Sequence, residues 1–195
     1  MAAPVTITFL GGLGEIGRNC AALECEGRIV LLDCGQLFPD DLPGVDAVLP
    51  DFTWLLERAD RREACLVTHA HEDHIGGLPY LLRHVEVPIY GSPFTLGMVS
   101  GKLKAAGIRL PEMVALGDHD RRQVGPFDCE FLPVTHSTPS GLMTLFGTPQ
   151  GLILHSSDFK LDPTPVDGRV TDLPRLRELA ADPGIRLLLA DSTNA

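Results

Sequence analysis

Three histidines and one aspartate fall within six positions of the chain, and all four side chains are suited to holding a metal ion. They are His69, His71, Asp73 and His74. Imidazole nitrogens and carboxylate oxygens are the ligands that suit Zn²⁺ and similar divalent cations. Ligand-type residues so closely spaced predict a metal site rather than a solvated loop with a coincidental histidine cluster.

The backbone conformation over this cluster decides how the four side chains divide. In an extended segment, residues two apart point the same way, so His69, His71 and Asp73 would share one face. A turn after His71 would instead direct His69 and His71 to one metal, and Asp73 and His74 to a second. The sequence leaves both arrangements open.

An apolar run precedes the cluster and a glycine pair follows it. Residues 64–67 are short, apolar and partly β-branched, which predicts a buried strand. Gly76 and Gly77 allow a tight bend, and residues 78–82 indicate the opening of a helix. The cluster is therefore expected at the carboxyl end of a strand, where α/β proteins usually build their sites.

Two later residues have a similar context. His136 follows the apolar residues 131–134, and Asp158 comes shortly after the apolar residues 152–154. Each places a metal-type side chain just beyond a buried strand, so we expect a third histidine for one metal and a carboxylate able to bridge two.

The remaining histidines are weaker candidates. His84 and His119 lie in polar settings, and we assign them ordinary surface roles. His155 is ambiguous, since it suits a partner that orients a metal ligand, although a packed strand histidine is favoured.

The amino-terminal segment predicts strands on either side of a glycine-rich loop. Residues 5–10 predict a strand, and residues 20–25 and 29–33 predict a hairpin. The loop over residues 11–19 is not a dinucleotide fingerprint, because a strand rather than a helix follows it. Asp33 ends the hairpin, and taken alone its position favours a turn-forming role over a site role.

Later elements complete a layered α/β pattern. Ser92 predicts the start of a helix, closely spaced strands are expected between residues 113 and 155, and a helix follows Asp172. Residues 185–190 predict a last strand. The order indicates one α/β domain over residues 1–195.

Composition and charge narrow the function classes. The 195 residues carry a net charge of −10, which disfavours a surface that grips a polyanion throughout but not a phosphate held by metal ions. Five cysteines without a C-x-x-C pair indicate buried thiols rather than disulfides or a cysteine zinc site. No run approaches a membrane span and no signal peptide is seen, so we expect a cytoplasmic protein without membrane contact.

The central cluster matches the H-x-H-x-D-H signature of the metallo-β-lactamase superfamily, which the sequence resembles. It is more similar still to the ribonuclease J type of β-CASP RNA-processing nucleases. The supporting stretches include Gly11-Gly-Leu-Gly-Glu-Ile-Gly17, Leu32-Asp-Cys-Gly35, Thr68 to Gly77, Ser157-Asp-Phe-Lys160 and Asp191-Ser-Thr-Asn194.

The resemblance implies an αββα sandwich with two zinc ions at one edge. It implies a zinc-dependent hydrolase of RNA phosphodiester bonds, acting as an exonuclease, an endonuclease or both. The implied ligands are His69, His71 and His136 for one zinc ion, Asp73 and His74 for the other, and Asp158 as the bridge. Asp73 is also the candidate catalytic residue, and Asp33 would orient the cluster.

The sequence also departs from that family. Family members insert a β-CASP domain near the point where this chain stops, then return to the lactamase fold and supply another histidine. The resemblance therefore implies the amino-terminal part of an incomplete sandwich, with one ligand missing from the second zinc site. A second copy or a partner chain would cover the truncated end. Ser157 stands where the family has glycine. It adds a side chain where the backbone passes close to the metals, so a changed geometry or metal affinity is expected beside Asp158.

Two other functions stay open at this point. One is a metallo-β-lactamase-fold hydrolase of a small ester or thioester. The other is a non-catalytic metal-binding fragment that packs on a partner.

Overall fold

A computed structural model describes residues 2–39 and 42–193 of the chain. Asn194, in the last of the stretches that carry the resemblance, lies outside this range. The strands are β1 Val5–Gly11, β2 Cys20–Cys25, β3 Arg28–Leu32, β4 Arg62–Leu66, β5 Ile89–Gly91, β6 Met113–Ala115, β7 Arg121–Val124, β8 Phe127–Pro133, β9 Leu142–Thr148, β10 Gly151–His155 and β11 Ile185–Leu189. The α-helices are α1 Thr53–Leu56, α2 Glu72–Ile75, α3 Leu78–Leu81, α4 Pro93–Ala105 and α5 Leu173–Ala181, and a single 3-10 turn covers Ala59–Arg61.

The strands form two sheets. The first has the order β1-β2-β3-β4-β5-β6, with antiparallel pairing up to β3 and parallel pairing from β3 to β6. The second has the order β11-β10-β9-β8-β7, antiparallel except for the parallel pair of β10 and β11. The predicted hairpin of residues 20–25 and 29–33 is confirmed as β2 and β3.

The two sheets face each other because their strands alternate apolar side chains between two faces. Val30 and Leu66 of the first sheet pack with Phe131 and Phe146 of the second in one buried cluster. The ring centroids of Phe127 and Phe146 are 5.5 Å apart in an edge-to-face arrangement. This apolar layer between the sheets fixes their relative position.

The outer face of each sheet is covered by helices. On the first sheet, Leu31 packs with Leu55 of α1, Leu81 of α3 and Val99 of α4. On the second, Leu132 and its neighbours pack against helix α5. The order helix, sheet, sheet, helix confirms the αββα sandwich that the resemblance implied.

Helix starts follow the predicted capping residues. Ser92 accepts a hydrogen bond from the Thr95 amide (3.3 Å) at the start of α4, and Asp172 accepts one from the Arg175 amide (2.9 Å) at the start of α5. Both contacts satisfy amides that have no partner within the helix. Among the described residues, no helix combines the length and the apolar character needed to cross a membrane.

Candidate metal centre

The candidate ligands come from segments that follow three strands of the two sheets. His69 follows β4, His136 follows β8 and Asp158 follows β10. β3, which is parallel to β4, is followed directly by Asp33. These loops meet at one edge of the sandwich, so the sheets bring together side chains that are far apart in sequence.

A turn at His71 divides the central cluster. His71 is extended, with φ −73° and ψ 152°, and is the residue before helix α2. The helix begins at Glu72, so Asp73 and His74 lie on its first turn while His69 stays on the extended side. Of the two arrangements that the sequence left open, the structure has the one with a turn.

The first donor group combines three histidines with one aspartate. They are His69, His71, His136 and Asp158. His71 Nδ1 lies 3.1 Å from His69 Nε2 and 3.2 Å from His136 Nε2. Asp158 Oδ2 lies 3.9 Å from His69 Nε2 and 3.5 Å from His136 Nε2.

These spacings suit a bound cation. Ligand nitrogens roughly 2.0–2.1 Å from a tetrahedral Zn²⁺ stand about 3.3 Å from one another. Thr68 Oγ1 donates to Asp33 and therefore accepts from the Nδ1–H of His69 (3.0 Å), which leaves His69 Nε2 unprotonated in the neutral ring. His71 Nδ1 faces the same point as His69 Nε2, so both nitrogens are placed to bind one cation.

The second donor group consists of Asp73, His74 and Asp158. His74 Nε2 lies 3.5 Å from Asp73 Oδ2 and 3.3 Å from Asp158 Oδ1. Asp158 therefore directs one carboxylate oxygen to each group, which is the arrangement of a bridging carboxylate. The donor chemistry of both groups fits divalent cations.

Asp33 connects the histidines of the two groups. Its carboxylate is buried and accepts hydrogen bonds from the Thr68 amide (2.8 Å), the Thr68 hydroxyl (2.9 Å) and His74 Nδ1 (2.8 Å). Since Thr68 Oγ1 also accepts from His69 Nδ1, Asp33 fixes His74 directly and His69 through Thr68. The backbone of Asp33 has φ +56°, so this residue turns the chain and also serves the site.

The two groups differ in protonation. Burial, reinforced by the neighbouring His74, lowers the pKa of His69 to about 3. Burial would also lower the pKa of His74, but Asp33, Asp158 and Asp73 outweigh it and raise that pKa well above its ordinary value.

Both carboxylates of the groups are ionised at neutral pH. Burial alone would raise the pKa of Asp158, but its hydrogen bond and attraction to His74 hold the value at about 2. Asp73 behaves similarly: hydrogen bonding to His74 outweighs burial, and its pKa is lowered. Each therefore carries the negative charge that a metal ligand needs.

His136 is held by a pair of threonines. The Thr135 amide donates to Thr171 Oγ1 (2.9 Å) and the Thr171 amide donates to Thr135 Oγ1 (3.0 Å). The Lys160 amide donates to the carbonyl of Thr135 (2.7 Å). These bonds tie the segment after Asp158 to the segment that carries His136.

Sequence reasoning missed Thr68 and Asn19. The Asn19 amide nitrogen lies within 3.2 Å of both Asp73 and His74, and Thr68 contacts Asp33 and His69. Neither is a strong metal ligand, so a search for ligand types passes over them. Their positions immediately before the histidine cluster and at the end of the glycine-rich loop were the available signals.

Ser157 fits the site despite its side chain. The residue is buried with φ +56°, a conformation in which glycine is less strained. Its hydroxyl lies 3.3 Å from His69 Nδ1. The serine thus adds a polar contact to His69 at the cost of a strained backbone.

The other histidines and the cysteines are placed as follows. His84 and His119 are exposed and outside both groups, as expected. All five cysteines are free and buried, which confirms the prediction of buried thiols. His155 ends β10 and lies beside the site; its Nδ1 is buried and has no hydrogen-bond partner among the described residues.

A cavity of about 550 Å³ lies beside the second group. It is lined by the glycine-rich loop, by Asp73, His74 and His155, and by the segment after β11. Within the loop, the carboxylate of Glu15 accepts hydrogen bonds from the Gly12 amide (3.1 Å) and from Arg18. The loop amide is therefore engaged by the chain's own acid, and the loop does not present it to a phosphate.

Fold and site together define a member of a known superfamily. Residues 28–163 match the family model described as a beta-lactamase superfamily domain. The match covers more than half of the chain, and the chain belongs to this superfamily.

The similarity extends to particular relatives, the ribonucleases J. The chain is 46% identical over 191 residues to ribonuclease J of Mycolicibacterium smegmatis, covering 97% of this chain and 34% of that protein. It is 43% identical over 200 residues to ribonuclease J of Thermus thermophilus, covering 98% of this chain and 35% of that protein. The chain thus spans about a third of the length of the curated relatives it matches.

Solved structures share the fold at lower identity. A protein of unknown function from Enterococcus faecalis superposes with a TM-score of 0.63 and 24% identity, over 82% of this chain and 44% of that one. The metallo-beta-lactamase fold protein YhfI from Bacillus subtilis gives a TM-score of 0.54 and 17% identity, over 80% of this chain and 63% of that one. Both likenesses concern the fold alone.

Proposed function

We propose that this chain carries the metal-binding part of a zinc-dependent hydrolase that cleaves RNA phosphodiester bonds. The observation that carries the proposal is the pair of donor groups that share Asp158 at one edge of the sandwich. The sequence similarity to ribonuclease J supports the choice of RNA as substrate, because it extends over 97% of the chain.

The proposed roles follow the geometry of the two groups. One zinc ion would be held by His69, His71, His136 and Asp158, and the other by Asp73, His74 and Asp158. When bound, two neighbouring cations supply the positive charge that makes water a nucleophile at neutral pH and that offsets charge on the phosphate oxygens.

The chain's own residues hold the site in one geometry. Asp33 and Thr68 fix the tautomers of His74 and His69, so that in the neutral rings Nε2 stays free of hydrogen in both. Asp73 is the proposed catalytic residue. Its side chain is 32% exposed and lines the cavity, so its carboxylate can accept a proton or a hydrogen bond from the attacking water.

Cleavage of RNA by the purified chain tests this proposal. We expect degradation of a labelled single-stranded RNA in Zn²⁺ or Mn²⁺, none in excess chelator, and loss of activity in His71→Ala. His84→Ala, which changes an exposed histidine outside both groups, is the matched control and should keep full activity.

Other outcomes would favour the alternatives. Tight uptake of zinc without RNA cleavage would favour a non-catalytic module, whereas hydrolysis of a thioester but not RNA would favour a small-ester hydrolase. The module would need a partner chain or a second copy. The edge strand β11, with Leu187 40% and Leu188 55% exposed, is the surface that such a partner would cover. A cytoplasmic location belongs to the same proposal, since RNA is processed there.

A further inference from the structure

Asn19 is tied to the start of helix α2 by its backbone. It lies where the glycine-rich loop enters β2, and its amide donates to the main-chain carbonyl of Asp73 (2.9 Å). Its own carbonyl accepts from the Gly35 amide (2.9 Å). The main chain of this loop is therefore held against the helix turn that carries Asp73 and His74.

The Asn19 side chain reaches the same turn. Its Nδ2 lies 3.2 Å from Asp73 Oδ2 and 3.2 Å from the main-chain oxygen of Asp73. An amide nitrogen carries two hydrogens, so these two oxygens use both. The same nitrogen is 3.1 Å from His74 Nε2, which places the amide beside two donor atoms of the second group.

Two glycines make this close approach possible. A Cβ at Gly12 would come within 2.6 Å of Asn19 Oδ1. A Cβ at Gly35 would come within 2.9 Å of the Asn19 main-chain nitrogen and would overlap the carbonyl of Asp73. The loop, β2 and the turn at Asp73 therefore pack with no room for side chains at these positions.

We propose that Asn19 is a positioning residue. By donating both of its amide hydrogens to Asp73, it holds the Asp73 carboxylate towards the other donors of the second group, His74 and Asp158. The inference rests on the proposed metal centre and deepens it. A carboxylate on a short helix turn is free to rotate, and fixing it beforehand reduces the entropy lost when a cation binds.

A neutral donor suits this position better than a charged one. A lysine or arginine would pair with Asp73 and compete with the cation for its negative charge. The amide orients Asp73 and leaves that charge available, so the second group keeps its two carboxylates, Asp73 and Asp158, for the metal.

A zinc titration against a chromophoric chelator tests this role without measuring RNA cleavage. In the wild-type chain we expect two zinc equivalents with separable affinities. Asn19→Leu has nearly the same shape but donates no hydrogen bond, and it should weaken the second equivalent by about 10–100-fold, the usual effect of losing a partner that orients a ligand. The first equivalent should be unchanged, because the side-chain contacts of Asn19 are to Asp73 and His74, which are not donors of the first group.

Gln36→Met is the matched control. Gln36 also braces α2 with a side-chain amide, which donates to Glu72 Oε2 (3.2 Å), but it touches none of the donor atoms. This variant should bind both equivalents like the wild type.

An equal loss of both equivalents in Asn19→Leu, no loss of either, or an equal effect of Gln36→Met would overturn the role of Asn19. Uptake of a single equivalent by the wild type would overturn the second site and this role together. Failure of RNA cleavage alone would count against the proposed function but not against Asn19, because the titration needs no substrate.

Discussion

The two donor groups share Asp158, yet their buried histidines are held in opposite states of charge. His69 is surrounded mainly by other imidazoles, and burial together with His74 lowers its pKa to about 3. His74 has Asp33 on one ring nitrogen and Asp158 and Asp73 near the other, and these acids raise its pKa although burial opposes them.

The difference indicates that His69 is poised to bind a cation at neutral pH and His74 is not. A ligand imidazole must be neutral. Burial lowers the pKa values of His69 and His136 in the first group, which favours their neutral rings, whereas the raised pKa of His74 favours its charged ring, which would have to lose a proton before Nε2 could bind a metal. Hydrogen bonds from Asn19, and to Asp33, hold the second group together until then.

Removing the carboxylate of Asp158, which both groups share, should have the largest effect on zinc binding. We expect Asp158→Asn to eliminate the second zinc equivalent and to weaken the first by more than about 100-fold, a larger loss than for partners that only orient ligands. Zinc titration measures both losses. Asp46→Asn changes an exposed aspartate and should leave both equivalents intact; retention of the second equivalent in Asp158→Asn would refute a bridging role.

Breaking the hydrogen-bonded link that runs from His69 through Thr68 and Asp33 to His74 should have the next largest effect, here on the stability of the fold. Thr68→Val keeps the volume of the side chain but removes the hydroxyl that bonds both Asp33 Oδ2 and His69 Nδ1, so that Asp33 Oδ2 keeps only His74 and His69 Nδ1 keeps only the longer contact to Ser157. Losing these two buried hydrogen bonds, one of them to a carboxylate, should cost about 1–3 kcal/mol of unfolding free energy. Urea unfolding in chelator measures the cost. Thr68→Ser restores the hydroxyl and should recover most of it; equal stabilities of the valine and serine variants would contradict the link.

Lowering the pH should change the contributions of His69 and His74 to stability in opposite directions. In the unfolded chain His69 takes up a proton near pH 6.5, but in the folded chain only near pH 3, so its contribution to stability falls as the pH falls below 6.5. Burial also lowers the pKa values of His136 and His155, which adds to the fall. His74 has a raised pKa, so its contribution is present below pH 6.5 and is lost only as the pH rises.

On balance, we expect the unfolding free energy of the metal-free chain to fall by about 2 kcal/mol between pH 6.5 and pH 5. Urea unfolding in chelator across this window measures it. A stability that is flat or rises toward pH 5 would mean that the charge on His74 dominates.

The backbone strain at Ser157 should give the smallest effect. Ser157→Gly and Ser157→Ala both remove the contact to His69, but only glycine relieves the positive φ. The glycine variant should therefore be more stable than the alanine variant by about 1 kcal/mol. Thermal unfolding of the two variants measures the difference, and equal melting temperatures would show that the backbone relaxes around alanine.

Much of the fold was predictable because short apolar runs with clear turn and cap residues have few alternatives. The strand after residue 184 and the helix capped by Asp172 are examples. Strand ends were less predictable, since β4 begins at Arg62 and β5 ends at Gly91, where polar or small residues continue the pairing with neighbouring strands. Those pairings depend on segments that a local pattern does not contain.

The sequence by itself determined which residue types are available for metal chemistry and that each follows a buried run, because ligand chemistry and local hydrophobicity are properties of short segments. Only the tertiary structure decided the turn after His71, the opposite protonation of His69 and His74, and the contact of Asn19 with a residue 54 positions away. The physical reason is that burial, charge and hydrogen bonding at the site are set by strands that meet only when the two sheets pack.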